Sequence, residues 1–155
     1  TLHMASALLA AGTDRDFILN RIYNQYGENR LRLKGHMFKD LMRVTPDGVA
    51  YMVLDRATQE EYQVAEGDTE GFVNMPLSIK DVRMSLLLKE DGDRVRVSIR
   101  SKKGVSANKC SRLHFNGGGH ENAAGGRLFM TKDINDISEA GDYIARHTHT
   151  FLTEQ

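Results

Sequence analysis

Gly117, Gly118 and Gly119, followed at once by His120, are the residues whose type and spacing could do chemistry. Five of the thirteen residues from Phe115 to Arg127 are glycine. Glycine loses more conformational freedom on folding than any other residue and adds no side chain to bury. Such density is tolerated where backbone takes unusual angles or comes close to another group. Three consecutive glycines leave main-chain N–H groups unshielded. A short helix starting near Glu121 to Ala124 would aim those groups and the helix dipole at one spot, a receptor for an anion such as phosphate. His120 adds an imidazole donor. The plainer reading is a flexible surface loop, but a linker would carry Ser and Thr among its glycines. Here the small residues Ala123, Ala124 and Gly125 lead into the apolar Leu128-Phe129-Met130, the composition of a packed site.

Arg100 is the second chemical feature. Val95, Val97 and Ile99 alternate with Arg94, Arg96, Ser98 and Arg100, the period of a strand with one buried face. Arg94 and Arg96 read as a solvated edge of that pattern. Arg100 stands at the strand end, where ligands gather in open α/β sheets, and its planar fork suits bidentate phosphate binding. Lys109, Arg112 and Arg127 lie nearby in sequence and are expected to add field more than contact.

Other chemistries are poorly served. No Gly-x-x-x-x-Gly-Lys string followed by Ser or Thr occurs, and the glycines come too late for a dinucleotide fingerprint. Cys110 is the only cysteine, so one chain builds neither a disulfide nor a cysteine-based zinc site. His114 and His120 match no common metal spacing. His147 and His149 point to different faces of a helix. His3 and His36 are isolated and read as packing or exposed residues.

The elements that must position these residues can be traced in order. Residues 2 to 11 read as a helix ended by Gly12. Asp14 caps the next, with Phe17, Ile18, Ile22 and Tyr26 on its apolar face, and Gly27 ends it. A third runs from Glu28 to Lys39, with Leu31, Leu33 and Met37 or Phe38 inward. A hairpin turns at Thr45-Pro46-Asp47-Gly48. Thr58 opens a short helix, with Glu61 completing a capping box. Thr69 to Ile79 is mixed, limited by Pro76. A second hairpin pairs Val82 to Lys89 with Arg94 to Arg100. Ser106 caps a helix through His114, with Val105, Cys110 and Leu113 facing the sheet. After the glycines come a strand from Gly126 to Met130 and a last helix, capped by Asp133 and running to about Leu152. Tyr51, Tyr62 and Phe72 read as core aromatics. The fold class is α/β: a mixed β-sheet of about five strands flanked by helices and preceded by N-terminal connecting helices. At 155 residues the chain can bury a real core. Its formal net charge is zero, so a nucleic-acid partner is expected to be short or locally held. No apolar run reaches the length of a membrane span.

Gly117-Gly118-Gly119-His120-x-x-Ala123-Ala124-Gly125 resembles the GGGHxxAAG signature of the DHH-family phosphoesterases, in their C-terminal DHH-associated type 1 domain. Ser98-Ile99-Arg100-Ser101-Lys102 is similar to the family's S-x-R-S-K strand end. Gly71-Phe72-Val73-Asn74 and Pro76-Leu77-Ser78-Ile79 resemble the segment before the preceding strand. The likeness is greatest to the nanoRNase and pAp-phosphatase branch and is most specific over residues 70 to 130.

The resemblance implies a substrate-binding domain at 41–155 and, at 1–40, a helical connection to an N-terminal catalytic DHH domain that would precede Thr1. No Asp-His-His triplet occurs here. Manganese or magnesium, with the catalytic residues, would belong to that other domain, and this chain alone would be inactive. Arg100, Ser101, Lys102, Asn116, Gly117, Gly118, Gly119 and His120 would bind substrate, with Ala123, Ala124 and Gly125 supporting the loop. The substrates implied are short RNA or DNA oligonucleotides or pAp-like nucleotides, in a cytoplasmic setting that the lone cysteine also fits. No membrane partner is expected, and a homodimer is open. The family also includes exopolyphosphatases and cyclic-dinucleotide phosphodiesterases. A non-catalytic nucleic-acid module and a purely structural or dimerising domain are the other classes. The first would bind long RNA with steep salt dependence. The second would be indifferent to loss of Arg100 or His120.

Overall fold

A computed structural model describes residues 2–154. Six strands form one sheet in the order β1-β2-β3-β4-β6-β5. They are Arg43–Val44 (β1), Val49–Leu54 (β2), Met84–Asp91 (β3), Arg94–Ser101 (β4), Gly118–His120 (β5) and Ala123–Phe129 (β6). Only β2 and β3 pair in parallel, so the sheet is mixed as expected, with one strand more than the sequence pattern marks. Its helices are Leu2–Ala10 (α1), Arg15–Tyr23 (α2), Glu28–His36 (α3), Arg56–Glu61 (α4), Ala107–His114 (α5) and Ala140–Thr153 (α6). A single-turn π segment, Met37–Leu41, extends α3, and a 3-10 segment, Phe72–Ser78, precedes β3.

Alternation in the strands divides the apolar residues between two cores. Val49, Leu86, Leu88, Val95, Val97, Ile99 and Leu128 project to one face, where α5 and α6 cover them with Cys110, Ile144 and Phe151. Met52, Leu54 and Leu87 project to the other, under Leu33, Met37 and Phe72. That second cover thins out past β3, where the 3-10 segment still reaches β4. Beyond it the sheet face of β4 and β6 carries Arg94, Arg96, Gly125 and Arg127, all exposed. Full burial of each aliphatic side chain here is worth about 1.5–3 kcal/mol. The open half is therefore held by the helices behind it.

Several local expectations are corrected. The cap of α4 is Asp55, whose Oδ1 accepts from the Thr58 amide at 2.7 Å, rather than Thr58 itself. Asp133 does not cap α6. Its Oδ2 accepts from the Phe129 amide at 2.8 Å, and Asp136 caps the 3-10 turn Ile137–Glu139 before the helix. Gly27 is the N-cap of α3, while α2 already ends at Asn24. Leu31 and Leu113 are exposed. So are Phe17, Ile18, Ile22 and Tyr26, and α1 and α2 bury no residue. Asp14 does cap α2, accepting from the Phe17 amide at 2.9 Å.

The packing of α5 on α6 has a titratable centre. His114 Nδ1 and His147 Nδ1 are 3.1 Å apart, and the His147 ring lies 4.0 Å from that of Tyr143. The Tyr143 hydroxyl donates to the His114 carbonyl at 2.9 Å. Burial lowers both imidazoles below their usual 6.5, and the neighbouring His114 lowers His147 further. A depressed histidine favours the neutral form in the folded state, so the unfolded chain binds more protons below about 6.5. The stability these rings contribute is present above that value and is lost as pH falls through their folded values. Asp91 and Asp136 are also lowered, chiefly by hydrogen bonds from Arg96 and Ser138 respectively, so their contribution fades only below 3.8. Thermal unfolding should therefore show a lower midpoint at pH 5.5 than at pH 7.5, and His147→Phe should flatten that slope. A midpoint that is level across this range would contradict the coupling.

Candidate phosphate-binding site

The glycine stretch does not begin a helix. Gly118–His120 is an edge strand, Glu121 and Asn122 turn the chain, and Ala123–Phe129 returns beside it. A helix at Glu121 to Ala124 is thus ruled out, and with it the anion receptor that a helix N-terminus would supply. The glycines have another physical reason. A methyl on Gly117 would lie against Gly125 O and within 2.7 Å of Ser111 Oγ; one on Gly126 would overlap Phe115 O and sit 2.9 Å from Phe115 Cβ. A methyl on Gly119 would come within 2.6 Å of Ala123 O. The strand lies so close to β6 and α5 that these three positions admit no side chain.

Two of the bare amides are already engaged. Gly117 N donates to Ser111 O at 3.3 Å and Gly119 N donates to Asn108 Oδ1 at 3.0 Å. Ser111 Oγ in turn donates to Gly125 O at 2.6 Å. Asn108 and Ser111 stand three apart on α5, a spacing that puts them on one helix face. They fasten the helix to the glycine strand. Their polar pairing on an otherwise apolar face was the signal available in the sequence. Cys110, between them in sequence, is buried, and burial pushes its thiol up to about 12, so it packs rather than reacts.

The expected site residues divide by what their polar atoms touch. Asn116, at positive φ, donates from Nδ2 to Arg127 O at 3.2 Å and Asp133 Oδ2 at 3.0 Å, holding the loop in shape. Ser101 is buried and donates to Val105 O at 2.6 Å. Lys102 Nζ donates to Ile79 O at 2.8 Å and Lys80 O at 3.0 Å, tying β4 to the end of the 3-10 segment. Asn122, which sequence reasoning passed over, braces the same corner from Nδ2 to Ser101 Oγ at 3.0 Å and Lys102 O at 3.1 Å. Glu121 joins it, with Oε2 accepting from Ser106 Oγ at 2.9 Å.

Arg100 and His120 differ from these. Arg100 is half-buried and its Nη1 donates to Ile99 O at 2.9 Å, a contact to its own strand that leaves other donors of the fork available. His120 is exposed. Both are register partners of Ala123, Arg100 from β4 and His120 from β5. One lateral line of backbone thus reads Arg100, Ala123, His120, with the small residue in the middle. Strands lie about 4.8 Å apart, so the two stand roughly two strand spacings, about 10 Å, from each other. On the other side of Arg100 the same line continues to Ser85, which is fully buried with its hydroxyl unpartnered among the described residues. Ala123 and Ala124 build the adjoining strand and Gly125 is its exposed continuation. Among the described residues no three His, Cys, Asp or Glu side chains gather to hold a metal ion. The side chains present here do not fit a manganese centre. Nor is any helix among the described residues long and apolar enough to cross a membrane.

Comparison with known proteins agrees with this architecture. The chain is 28% identical over 124 residues to the bifunctional oligoribonuclease and PAP phosphatase NrnA of Bacillus subtilis, covering 78% of this chain and 39% of that protein. Its fold superposes on an exopolyphosphatase-related protein from Bacteroides fragilis with a TM-score of 0.86 and 37% identity, over 98% of this chain and 43% of that one. A pGpG-specific phosphodiesterase, PggH, from Vibrio cholerae shares the fold, with a TM-score of 0.60, 15% identity, and 97% and 50% of the two chains covered. The chain spans less than half the length of the first two of these relatives. Residues 47–146, from the first hairpin to the last helix, match the DHHA1 domain family, and the chain belongs to it.

Proposed function

We propose that this chain is the substrate-binding part of a two-metal DHH-type phosphoesterase acting as an oligoribonuclease, a pAp phosphatase, or both. It holds the anionic end of a short oligonucleotide or a pAp-like nucleotide. The observation that carries the reading is the lateral line on which Arg100 and His120 flank Ala123, His120 closing an edge strand whose other two residues are glycine. The guanidinium grips one phosphate and the imidazole donates to another. Ser101, Lys102, Asn116 and Asn122 shape the corner through their internal hydrogen bonds, while Gly117, Gly118 and Gly119 form the edge wall against which the ligand lies.

The catalytic ions, manganese or magnesium, belong to an N-terminal DHH domain, to which residues 1–40 connect. The ligand is bound between that domain and residues 41–155, and the whole protein works in the cytoplasm. By itself this chain binds without hydrolysing. Titration of pAp into the 155-residue chain, followed by amide NMR, tests the reading. Saturable shifts are expected at His120, Ala123 and the residues flanking Arg100. Shifts confined to α1 and α2, or none at millimolar ligand, would remove it.

A further inference from the structure

The open half of the sheet carries a second line of cations that the site above does not use. Lys89 on β3 is the register partner of Arg96 on β4, and Arg96 is the partner of Arg127 on β6. Three like charges thus stand directly opposed across three strands, an arrangement that destabilises a sheet by a few tenths to about 1 kcal/mol per pair. Among the described residues one carboxylate bonds to them, Arg96 Nε donating to Asp91 Oδ2 at 2.7 Å, while Glu66 and Glu90 line the hollow beside Lys89 without pairing to it. Among the described residues neither Lys89 nor Arg127 has a carboxylate within 4.0 Å. The fold keeps a repulsion that an anion lying over the line would relieve.

The surface between the two cationic lines is bare. Ser98 and Gly125 are register partners there. A methyl on Gly125 would meet only Val97 O, at an ordinary 3.6 Å. The fold requires glycine at 117 and 126 but not at 125, where the missing side chain leaves the sheet flat toward solvent. Two hollows of about 460 and 430 Å³ meet over this floor and share Asp91, Arg96 and Ser98. Arg100 and Arg96 lie four residues apart on one face of β4, about 13.5 Å along the strand. That is roughly the advance of two extended nucleotides.

We propose that Lys89, Arg96 and Arg127 form a second anion site, which takes a phosphodiester farther along a single-stranded oligonucleotide whose end is held at Arg100 and His120. The proposal rests on the preceding reading of that end. A single strand fits better than a duplex because the cations form a narrow line and the chain as a whole carries no net charge. The site makes ligand length a determinant of affinity, whereas a mononucleotide never reaches it.

Binding of pAp and of a tetraribonucleotide to the 155-residue chain, with a Lys89→Gln/Arg127→Gln double variant, tests this. Arg127 is exposed, Lys89 is half-buried at the border of the open half, and neither has an ion-pair partner among the described residues, so the variant should fold as the parent does, which circular dichroism checks. Tetranucleotide affinity should fall about tenfold, the order expected of two exposed charge contacts, and its log–log salt slope should shrink by roughly 1.4. Affinity for pAp should be unchanged. Unaltered tetranucleotide binding, or an equal loss for pAp, overturns the second site. Arg100→Ala separates the two readings, because it should weaken both ligands. If it does so while the double variant is silent, only the second site falls; if Arg100→Ala leaves pAp binding intact, the first reading falls and takes the second with it.

Discussion

Gly126→Ala should destabilise this domain by about 3 kcal/mol or more, while Gly125→Ala, one residue earlier on the same strand, should be neutral or mildly stabilising. The added methyl is the same. At 126 it meets the Phe115 backbone and lies 2.9 Å from Phe115 Cβ, in a residue that is itself fully buried beneath β6. Main-chain atoms cannot rotate away as a side-chain tip can, so relief requires shifting the loop that Asn116 anchors. At 125 the methyl points to solvent, with one ordinary contact 3.6 Å away. A loss of 3 kcal/mol is a large part of the 5–15 kcal/mol typical of a domain and should lower the thermal midpoint by roughly 6–12 °C. Equal midpoints for the two variants would mean that Phe115 does not lie against β6 at Gly126.

This contrast also explains which parts of the structure the sequence made legible. The hairpin from Met84 to Ser101 was readable because alternation and an Asp-Gly turn agree, and one face is buried along its whole length. The glycine stretch was readable as a special backbone but not as a strand. Glycine has no side chain to show a period, so its density fits a nest, a loop or a tight edge strand equally well. Packing decided, through Ser111 and Asn108 on a helix that comes earlier in the chain.

Capping failed at Thr58 and Asp133 because the helices begin elsewhere. Asp55, three residues before Thr58, takes the cap of α4, and a 3-10 turn capped by Asp136 separates Asp133 from Ala140, where α6 starts. Leu31 and Leu113 show a further limit. Periodicity finds an apolar face but not whether anything covers it, and both are exposed here. The Arg100–Ala123–His120 line was beyond reading. Its members come from three strands, and β5 joins the sheet at its edge through β6, a register that no local pattern encodes. Ser101 and Lys102 were legible as neighbours of Arg100, yet their roles depend on Val105, Ile79 and Asn122, which lie elsewhere in the chain.

Arg100→Ala should lower affinity for pAp by roughly 10- to 150-fold, the effect of losing a charge-assisted contact of about 1.5–3 kcal/mol. Fold stability should change little, because the half-buried side chain makes one internal hydrogen bond and that is to its own strand. Arg100→Lys should recover only part of the affinity, since an ammonium supplies charge without the planar fork. His120→Ala should cost less, as an exposed imidazole is more easily replaced by water. The two residues stand about two strand spacings apart and are read as holding different phosphates, so the double variant should lose the sum of the single losses to within about 0.5 kcal/mol. AMP, which lacks one of the two phosphates of pAp, should respond to one substitution and not the other. Calorimetric titration of the parent and the four variants with both nucleotides measures all of this. Affinities indifferent to both substitutions would show that the glycine strand and its arginine neighbour serve packing alone.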